Sequence, residues 1–395
     1  MPPFYSVADA RRRARRVLPR VVFDFVEGGA DDELTMRENR RAFEEITFRP
    51  RVAVHARPDL RTTVVGTPVE LPVLCAPCGF VRIVHPDGEI AVAREAAAAG
   101  TVSIVSTAAG TALEEVAEGA RTGLGGDDAK RLWFQLYFMN GRAGAEVLVE
   151  RAEHAGYGAL VVTLDTATVG NRERDTRNGV VLPLGVDARN AWHFGPQMLV
   201  HPAWFARFVR DGMRLDFPNS VRLGPGATPI PKEQQAKAIV TRPPTWADVE
   251  WIRARWTGPL LLKGVLTVDD ARRAVDVGAD AVVVSNHGGR QLDGAPASVR
   301  VLPEVVDAVG ADTEVLVDGG VRRGSDVVKA VALGARAVLI GRAYLYGLAA
   351  RGGAGVADVL RILRLDMDRT MRLLGCPSVQ ELDRTWIDAP SCPTT

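Results

Sequence analysis

A histidine and an arginine, His287 and Arg290, lie three residues apart in the stretch 285–293, directly after the apolar run 281–284. The valine-rich run predicts a buried strand, and the two glycines between the histidine and the arginine allow a sharp turn that keeps both side chains close. An imidazole exchanges a proton near neutral pH, and a guanidinium can grip a carboxylate with two parallel hydrogen bonds. The pair therefore indicates acid–base chemistry on a substrate that carries a carboxylate.

The run 281–284 is one of eight apolar runs rich in β-branched residues, each followed by an amphipathic helical pattern. The runs are 71–76, 101–105, 133–137, 159–164, 259–262, 281–284, 314–317 and 337–340. Alternation of strands and helices indicates a parallel sheet. Eight repeats predict an α/β fold of the (β/α)8 TIM-barrel type, and a doubly wound open sheet is the alternative.

Polar residues gather where the eight runs end, which is the end at which barrel enzymes carry their active sites. They are Cys78, Gly79, Ser106, Thr107, Gln135, Tyr137, Thr163, Asp165, Lys263, Gly264, Ser285, Asn286, His287, Asp318, Gly319, Gly320, Gly341 and Arg342. Gln135 and Tyr137 are two apart on a strand, so they share a face, as do Thr163 and Asp165. The carboxylate of Asp165 is the type of group that orients a histidine and stabilises the imidazolium.

The last two runs end in glycines and arginines, in the stretches 318–324 and 341–342. Backbone N–H groups that glycine leaves accessible, together with guanidinium groups, bind phosphate. In such barrels the loops after strands seven and eight commonly form a phosphate site. No GxGxxG motif stands at the start of the chain, so a nicotinamide cofactor bound by a Rossmann fold is disfavoured.

Three functions fit this pattern of residues. An FMN oxidoreductase would use Lys263 as a positive charge beside the flavin, and a Schiff-base aldolase would use it as the nucleophile. A binding module without catalysis would use neither property. In the sequence pattern, no second lysine or carboxylate clearly neighbours Lys263 to depress its pKa, which counts against the aldolase. A non-catalytic binding module would leave His287, Asp165 and Arg290 without a task.

Composition excludes several classes of protein. The chain has 395 residues, 47% of them hydrophobic and 25% charged, and its net charge of +1 gives no reason to expect a nucleic-acid partner. Cysteines 75, 78, 376 and 392 are too few for a disulfide framework, and we expect neither a metal site nor a redox pair at positions 75 and 78. With neither a membrane-spanning run nor a signal-peptide core, we expect a cytoplasmic protein.

The stretch 285–293 closely resembles the signature of the FMN-dependent 2-hydroxy-acid dehydrogenases and oxidases, a family that includes glycolate and lactate oxidases. The resemblance covers roughly residues 5–386, and within the family it is closest to mandelate dehydrogenase. That likeness rests on the stretches 132–137, 171–175, 201–202, 346–352 and 375–377. It implies bound FMN and oxidation of an (S)-2-hydroxy acid to the 2-oxo acid, with oxygen, a quinone or a cytochrome as the final electron acceptor and a homotetramer as the assembly.

The resemblance also assigns roles to residues. His287 would be the base, with Asp165 behind it, while flavin N5 accepts a hydride, a route that the sequence does not distinguish from a carbanion-like one. Tyr137, Arg172 and Arg290 would hold the substrate. The isoalloxazine ring would be bound by Gly79, Ser106, Gln135 and Thr163, with Lys263 as the adjacent cation, and the ribityl phosphate by Asp318, Gly320, Arg322, Gly341 and Arg342.

Two positions depart from the family pattern. Phe25 stands where most members have a tyrosine that touches the substrate carboxylate, and Ala108 stands where glycolate oxidases have a tryptophan over the pocket. Both changes make the pocket less polar and more open. They predict an aryl or bulky, mandelate-like substrate, and a lactate or glycolate oxidase of the same family is the alternative.

The chain divides into an N-terminal helical segment (1–64) packed on the barrel, the FMN-binding barrel (65–380) and a C-terminal tail (381–395). One insertion, 186–245, follows the fourth strand and breaks the rhythm. Six aromatic residues lie in it: Trp192, Phe194, Trp204, Phe205, Phe208 and Phe217. Lacking one long amphipathic helix, it is predicted to be a lid over the site. The alternative is a segment that docks the protein on the inner face of the membrane.

Overall fold

The structure is a computed structural model that describes residues 4–121, 131–179, 188–215, 217–221 and 243–389. Its strands are β1 (Thr47–Phe48), β2 (Thr62–Val64), β3 (Thr67–Val69), β4 (Val73–Cys75), β5 (Ser103–Ser106), β6 (Leu132–Leu136), β7 (Leu160–Thr163), β8 (Leu260–Val265), β9 (Ala281–Val284), β10 (Glu314–Asp318), β11 (Ala337–Ile340) and β12 (Ile387–Asp388). Each of the eight predicted runs overlaps one of the strands β4 to β11.

Strands β4 to β11 form a closed parallel barrel in chain order. Closure is made between the last strand and the first, where Val338 pairs with Val73 and Ile340 with Cys75. The predicted (β/α)8 barrel is therefore confirmed, and the open sheet is wrong.

Successive residues of each barrel strand enter two separate cores. Val283 belongs to the cluster inside the barrel, while its neighbours Val282 and Val284 belong to the larger cluster between the strands and the helices. Because both faces of every strand are buried, the strands are continuous apolar runs and do not alternate with polar residues. That is the property by which the sequence reveals them.

Helices surround the barrel. They are α1 (Val7–Val17), α2 (Arg20–Glu27), α3 (Leu34–Glu45), α4 (Val81–Val84), α5 (Gly88–Ala98), α6 (Leu113–Arg121), α7 (Gly141–His154), α8 (Glu173–Arg177), α9 (Ala188–Leu199), α10 (Pro202–Arg210), α11 (Pro218–Val221), α12 (Trp246–Arg255), α13 (Val268–Asp276), α14 (Ser298–Val309), α15 (Gly324–Ala332), α16 (Arg342–Arg351) and α17 (Gly353–Leu374), followed by the short 3-10 helices Val379–Glu381 and Arg384–Trp386. Within the described ranges, no helix combines the length and the apolarity needed to cross a membrane.

The arginine-rich N-terminus folds as helix α1. Ser6 begins it by accepting a hydrogen bond from the backbone N–H of Asp9, which satisfies one of the free donors of the first turn. Val7, Ala10 and Ala14 are buried along one face. This spacing gives the helix an apolar face for packing and leaves most of its arginines at the surface.

The insertion is described in part, with helices α9, α10 and α11, and residues 186–187, 216 and 222–242 lie outside the described ranges. Cys392 also lies outside them. Cys75 is a buried free thiol in β4, and Cys78 is a partly buried free thiol just beyond it. The division into segment, barrel and tail stays a prediction.

Candidate active site

A cavity of about 250 Å³ lies at the C-terminal ends of the barrel strands. Of the residues to which the resemblance assigns a role in catalysis or in binding, all but Gln135 and Asp165 line it: Phe25, Gly79, Ser106, Ala108, Tyr137, Thr163, Arg172, Lys263, His287, Arg290, Asp318, Gly320, Arg322, Gly341 and Arg342. Those two lie directly behind lining residues. The structure thus brings together groups that are up to about three hundred residues apart in the chain.

His287 stands in a left-handed backbone conformation, with φ of 58°. Such a φ is uncommon for a residue with a side chain and marks a position that the surrounding structure holds in place. The backbone N–H of His287 donates to Ser285 Oγ at 3.1 Å, and its Nδ1 lies 3.0 Å from Asp165 Oδ1. Nε2 is therefore the ring nitrogen left for the cavity.

Asp165 is buried behind the imidazole. Burial alone would raise the pKa of its carboxyl, but the charge and hydrogen bond of His287 and the charge of Lys263 outweigh it, so the pKa is lowered. The carboxylate stays ionised at neutral pH and stabilises a protonated imidazole, as the sequence predicted for this pair.

Lys263 is 4% exposed. Its Nζ lies 3.0 Å from Asp318 Oδ2 and donates to Ser285 Oγ at 2.7 Å. Burial would lower the pKa of the lysine, yet the nearby carboxylates of Asp318 and Asp165 raise it overall. The amine is held as a cation, which is the opposite of what a Schiff-base nucleophile needs.

The expectation that no carboxylate neighbours Lys263 is wrong. Asp318 was grouped with the phosphate loop because it begins the stretch 318–324. Lys263 and Asp318 stand on β8 and β10, with β9 between them, and alternate strands of a barrel contribute the side chains of one interior layer. Spacing along the chain does not display this pairing.

A β-bulge at the end of β8 shapes this part of the site. The register in which β8 pairs with β9 shifts between Lys263 and Val265, and the intervening Gly264 has φ of 105°. A Cβ there would lie 2.7 Å from Cβ of Asp165. Only glycine lets the strand end pass this close to the carboxylate that faces His287.

Three neighbouring strand ends form a buried chain of hydrogen bonds. Ser106 Oγ donates to Gln135 Oε1 at 2.8 Å, and Gln135 Nε2 donates to Thr163 Oγ1 at 2.9 Å. The backbone N–H of Ala108 donates to Ser106 Oγ at 3.1 Å. These hydrogen bonds fix the orientation of the Gln135 amide, so that Ser106 and Thr163 present a rigid polar edge to the cavity.

Tyr137 follows β6 and faces the same cavity. Burial, reinforced by the negative charge of Asp165, raises the pKa of its phenol to about 12. The hydroxyl is therefore protonated at neutral pH and is a hydrogen-bond donor.

Arg290 and Arg342 both donate to backbone carbonyls of the N-terminal segment. Arg290 Nη1 donates to Phe25 O at 3.0 Å and to Gly28 O at 2.6 Å. Arg342 donates to Val26 O at 3.1 Å and to Gly28 O and Gly288 O at 2.8 Å each. The carbonyls of Phe25, Val26 and Gly28 belong to the last turn of α2 and the residue after it, where oxygens lack helical partners and the helix dipole favours cations.

The cavity concentrates positive charge. Burial lowers the pKa of Arg290 strongly, and repulsion from Arg172 and Arg342 lowers it further. Arg172 has a pKa lowered chiefly by burial, and its Nε is buried without a hydrogen-bond partner among the described residues. Two desolvated guanidinium groups of this kind are stabilised by an anion placed between them.

The phosphate-type loops follow β10 and β11. Gly320 has φ of 88°, and a Cβ there would lie 2.0 Å from Asn39 O, so this glycine is required by the approach of helix α3. Arg322 lies over the ring of Tyr346, 5.6 Å from its centroid. Asp318 Oδ1 is buried without a partner among the described residues, so it remains an acceptor for a hydroxyl.

These observations fit a ribityl phosphate and a polar ring system. One cavity is faced by the free oxygen of Asp318, the glycine-lined loop after β10, the arginines and the polar edge formed by the hydrogen-bonded strand ends. There is also space beside Gly341, where a Cβ would meet only Cys78 Sγ at 3.4 Å and Ala76 Cβ at 4.0 Å. The donor set therefore suits FMN.

Three phenylalanines form an apolar wall of the cavity, next to Arg290, whose guanidinium carbon lies 5.5 Å from the centroid of the Phe25 ring. The rings of Phe25 and Phe80 meet edge to face at 5.7 Å, and those of Phe80 and Phe217 lie 4.2 Å apart. The sequence pointed to Phe25 alone. Phe80 occupies a left-handed turn, with φ of 56°, that no local pattern indicates. Phe217 was noted as an aromatic residue of the insertion but not as part of the pocket.

The insertion is packed onto the barrel by its inner face. Trp204 is buried and donates from Nε1 to Ile83 O at 3.0 Å. Arg82 and Asp211 form an ion pair in which both side chains are largely buried. Asn219 Oδ1 accepts from the backbone N–H of Leu113 at 2.9 Å. These contacts hold Phe217 beside Phe80.

Comparisons with known proteins agree with the geometry. Residues 14–389 match the model of the FMN-dependent dehydrogenase family. The chain is 44% identical to pre-mycofactocin synthase of Mycobacterium tuberculosis over 392 residues, 98% of this chain and 95% of that protein. It is 43% identical to L-lactate oxidase of a Nostoc species over 376 residues, 95% of each protein.

A solved structure is also closely similar. The crystal structure of the monotopic membrane protein (S)-mandelate dehydrogenase superposes with a TM-score of 0.88 at 39% identity, covering 98% of this chain and all of that one. Both the sequence and the architecture are thus matched over nearly the full length. The chain therefore belongs to the FMN-dependent dehydrogenases, an oxidoreductase family that acts on 2-hydroxy acids.

Proposed function

We propose that the protein oxidises an aryl or similarly bulky (S)-2-hydroxy acid, such as mandelate, to the 2-oxo acid. The observation that carries this proposal is the wall of Phe25, Phe80 and Phe217, which faces the same cavity as His287 and Arg290. An aromatic ring gains both burial and edge contacts beside such a wall. A small substrate such as glycolate would leave it uncovered.

The substrate carboxylate binds between Arg172 and Arg290. Both arginines are partly buried and their positive charges repel each other, so a bound carboxylate relieves the repulsion as it forms charge-assisted hydrogen bonds. Tyr137, protonated at neutral pH, donates to an oxygen of the same substrate. Together the three side chains orient the α-carbon.

His287 Nε2 accepts the proton of the substrate hydroxyl. The resulting imidazolium is stabilised by Asp165, 3.0 Å from Nδ1, so the proton transfer does not leave an isolated buried charge. When bound, FMN supplies at N5 the acceptor for the hydrogen and the two electrons that leave the α-carbon. It would be held by Gly79, Ser106, Gln135, Thr163, Lys263, Asp318, Gly320, Arg322, Gly341 and Arg342.

Other substrates within the family are the alternatives. Identities of 44% to the synthase and 43% to the lactate oxidase are nearly equal, so similarity does not choose among them. The open position at Ala108 and the apolar ring of Phe25 favour a bulky acid over lactate. The Schiff-base aldolase is disfavoured because Asp318 holds Lys263 protonated.

The test is anaerobic reduction of the purified holoprotein by mandelate, lactate and glycolate, followed through the loss of flavin absorbance. We expect mandelate to give the highest second-order rate constant. Fastest reduction by glycolate would overturn the aryl preference, and a colourless protein that cannot be reconstituted with FMN would overturn the cofactor assignment. Reoxidation in air, or only by a quinone or cytochrome, then identifies the acceptor, and light scattering checks the expected homotetramer.

The insertion has a second face that supports peripheral membrane association. Among the described residues of the insertion, the large apolar side chains that are exposed are Leu199 (80% exposed), Val200 (73%), Phe205, Val209 and Met213. Phe205 and Val209 are four residues apart on α10, so they share one face of that helix. The inner face of the insertion covers the site as the predicted lid. The exposed apolar residues of the outer face insert into the inner surface of the membrane, which carries anionic lipid, and the protein itself is cytoplasmic.

Flotation with anionic vesicles tests this association. Leu199→Ser combined with Val200→Ser should abolish flotation while mandelate turnover stays near that of the parent protein. A parent protein that does not float, or a variant that floats equally well, would leave the insertion with the lid role alone.

A further inference from the structure

The two arginines proposed to hold the substrate lie on different loops, and a third piece of chain lies against both. That piece is residues 28–33, which we name the clasp. It follows helix α2 and precedes helix α3. Arg172 precedes helix α8 on the loop after β7, and Arg290 follows β9, so no secondary-structure element contains both.

The clasp binds the loop of Arg290 through its backbone. Ala30 N donates to Gly289 O at 2.8 Å, and Gly28 O accepts from Arg290 itself at 2.6 Å. The approach is close, since a Cβ on Gly29 would lie 2.9 Å from Gly289 O. One edge of the clasp is thus fixed directly to the residue that would hold the carboxylate.

The other edge binds the loop of Arg172. Asp31 N donates to Asn171 O at 2.8 Å, and Asn171 Nδ2 returns a 2.8 Å hydrogen bond to Asp31 Oδ1. Two residues after Arg172, Arg174 forms an ion pair with Glu33 and lies 3.6 Å from Asp24 Oδ1. The residues on both sides of Arg172 are therefore fastened to the clasp.

Glu33 is built into the clasp. Its φ is 61°, and its second carboxylate oxygen accepts from Gly29 N at 3.0 Å. The side chain is 13% exposed, against 35% for Arg174. Glu33 joins the part of the clasp that faces Arg290 to the helix that follows Arg172.

Such a brace has a physical task. Arg172 and Arg290 are both partly buried and repel each other, so their loops tend to move apart when no anion lies between them. A two-pronged grip on one small carboxylate requires both guanidinium groups at defined positions. The clasp opposes the separation.

We propose that Arg174 and Glu33 are positioning residues that hold Arg172 at the distance from Arg290 at which both can bind one carboxylate. This inference rests on the proposed function, because it takes the two arginines as the carboxylate grip. Neither residue of this ion pair lines the cavity. The pair therefore acts on the substrate through the clasp and the loops that the clasp binds.

The experiment compares two probes on the holoprotein through the perturbation of flavin absorbance: benzoate, which carries a carboxylate, and benzyl alcohol, which does not. For Arg174→Met we expect the Kd of benzoate to rise about tenfold, as the loss of a half-buried charge pair suggests. The Kd of benzyl alcohol should stay unchanged, as should FMN content. With mandelate, KM should rise by a similar factor while kcat changes less than about twofold.

Three further variants sharpen the test. Arg177→Met is the matched control, because Arg177 lies on the same helix, is 74% exposed and, within the described ranges, forms an ion pair with Glu173 alone. It should leave the Kd of benzoate unchanged. Glu33→Gln should reproduce the weakening if Arg174→Met folds poorly, and Arg174→Lys should recover affinity to within about threefold, since a lysine keeps the charge but not the planar fork.

The outcomes separate the inference from the function on which it rests. Unchanged benzoate affinity in both Arg174→Met and Glu33→Gln overturns the positioning role, and so does equal weakening of benzoate and benzyl alcohol. Arg290→Lys serves as reference, since it should lose benzoate in either case. A parent holoprotein that binds neither benzoate nor mandelate overturns the proposed function itself.

Discussion

Two segments outside the barrel cover its mouth, and they do so by different physical means. The N-terminal segment offers backbone carbonyls and carboxylates: Gly28 O accepts from Arg290 and from Arg342, and Glu33 pairs with Arg174. The insertion offers rings, with Phe217 against Phe80. The first cover is directional and charged, and the second is largely apolar.

The difference indicates a division of tasks. Hydrogen bonds and ion pairs fix the angle and distance of charged groups, whereas apolar contacts favour whatever shape buries area. Changes in the N-terminal segment should therefore alter how tightly a carboxylate is held. Changes in the insertion should alter which side chain the substrate carries.

The largest expected effect is that of removing His287, which belongs to neither cover, and the effects of changes in the two covers are compared with it. His287→Ala should retain FMN but slow its reduction by mandelate by roughly three to four orders of magnitude, because base catalysis and orientation are lost together. Anaerobic stopped-flow absorbance measures the rate. Reduction within tenfold of the parent rate would remove His287 from the role of base.

Replacing Arg290, which the carbonyls of the charged cover bind, should have the next largest effect on activity. Arg290→Lys loses the planar fork that bonds Phe25 O and Gly28 O and should lower kcat/KM for mandelate about a hundredfold. Arg336→Lys is a control, since Arg336 lies at the opposite end of the barrel, before β11. Equal activity of the two variants would contradict the contrast between the covers.

The apolar cover should respond in selectivity. Phe217→Ala should lower the ratio of kcat/KM for mandelate over lactate about tenfold, as expected for removing most of one ring from an apolar wall. Lactate itself should react at a similar rate. Phe205→Ala is the matched control in the same insertion, because Phe205 is 40% exposed and lies on the outer face. A selectivity change in Phe205→Ala, or none in Phe217→Ala, would count against the wall.

The smallest expected effect is on how the free energy of unfolding depends on pH, which should differ between the charged cover and the apolar one. Burial would raise the pKa of Glu27, but hydrogen bonds from Arg11 and Tyr346 outweigh it, so the folded pKa lies below the unfolded one. Its stabilisation is therefore complete above the unfolded pKa of about 4.3 and is lost as pH falls through the folded value.

Glu27→Gln should accordingly lower the free energy of unfolding by about 1 kcal/mol at pH 7, and the gap to the parent should close below about pH 4. Urea denaturation at both pH values measures it. The destabilisation caused by Phe217→Ala should show no such pH dependence. A gap for Glu27→Gln that persists unchanged at low pH would mean that packing of the side chain, and not its charge, stabilises the segment.

The barrel was predictable because its signal is local and repeated. Each strand is a run of buried residues on both faces, and each ends in a polar residue at the same mouth, so His287, Asp165 and Lys263 could be placed without knowledge of the tertiary structure. The expectation of no carboxylate beside Lys263 was the main error, since the pairing of Asp318 with Lys263 depends on which strands are two apart around the closed barrel.

The covers were less predictable for a physical reason. Phe80 enters the pocket through a left-handed turn, and the arginines bind carbonyls, which every residue carries and no sequence pattern displays. The contacts of the clasp are likewise made largely by backbone atoms. What the sequence reveals at such sites is the glycine that permits close approach, as at Gly29 and Gly289.

The clasp and α2 also impose an order on biosynthesis. They leave the ribosome early, while the partners that cover them, Gly289, Arg290 and Arg342, are made late. At roughly 5–20 residues per second, the 314 residues that separate Gly28 from Arg342 require on the order of 15–60 seconds.

Throughout that interval the apolar face of α2, which carries Val21, Val22 and Phe23, has no barrel to cover it. The pairing of β1 with β12 comes later still, because Asp388 lies near the end of the chain. We therefore expect this apolar face to stay exposed on the nascent chain, and a chain released before residue 342 should be cleaved there by proteases that spare the full-length protein.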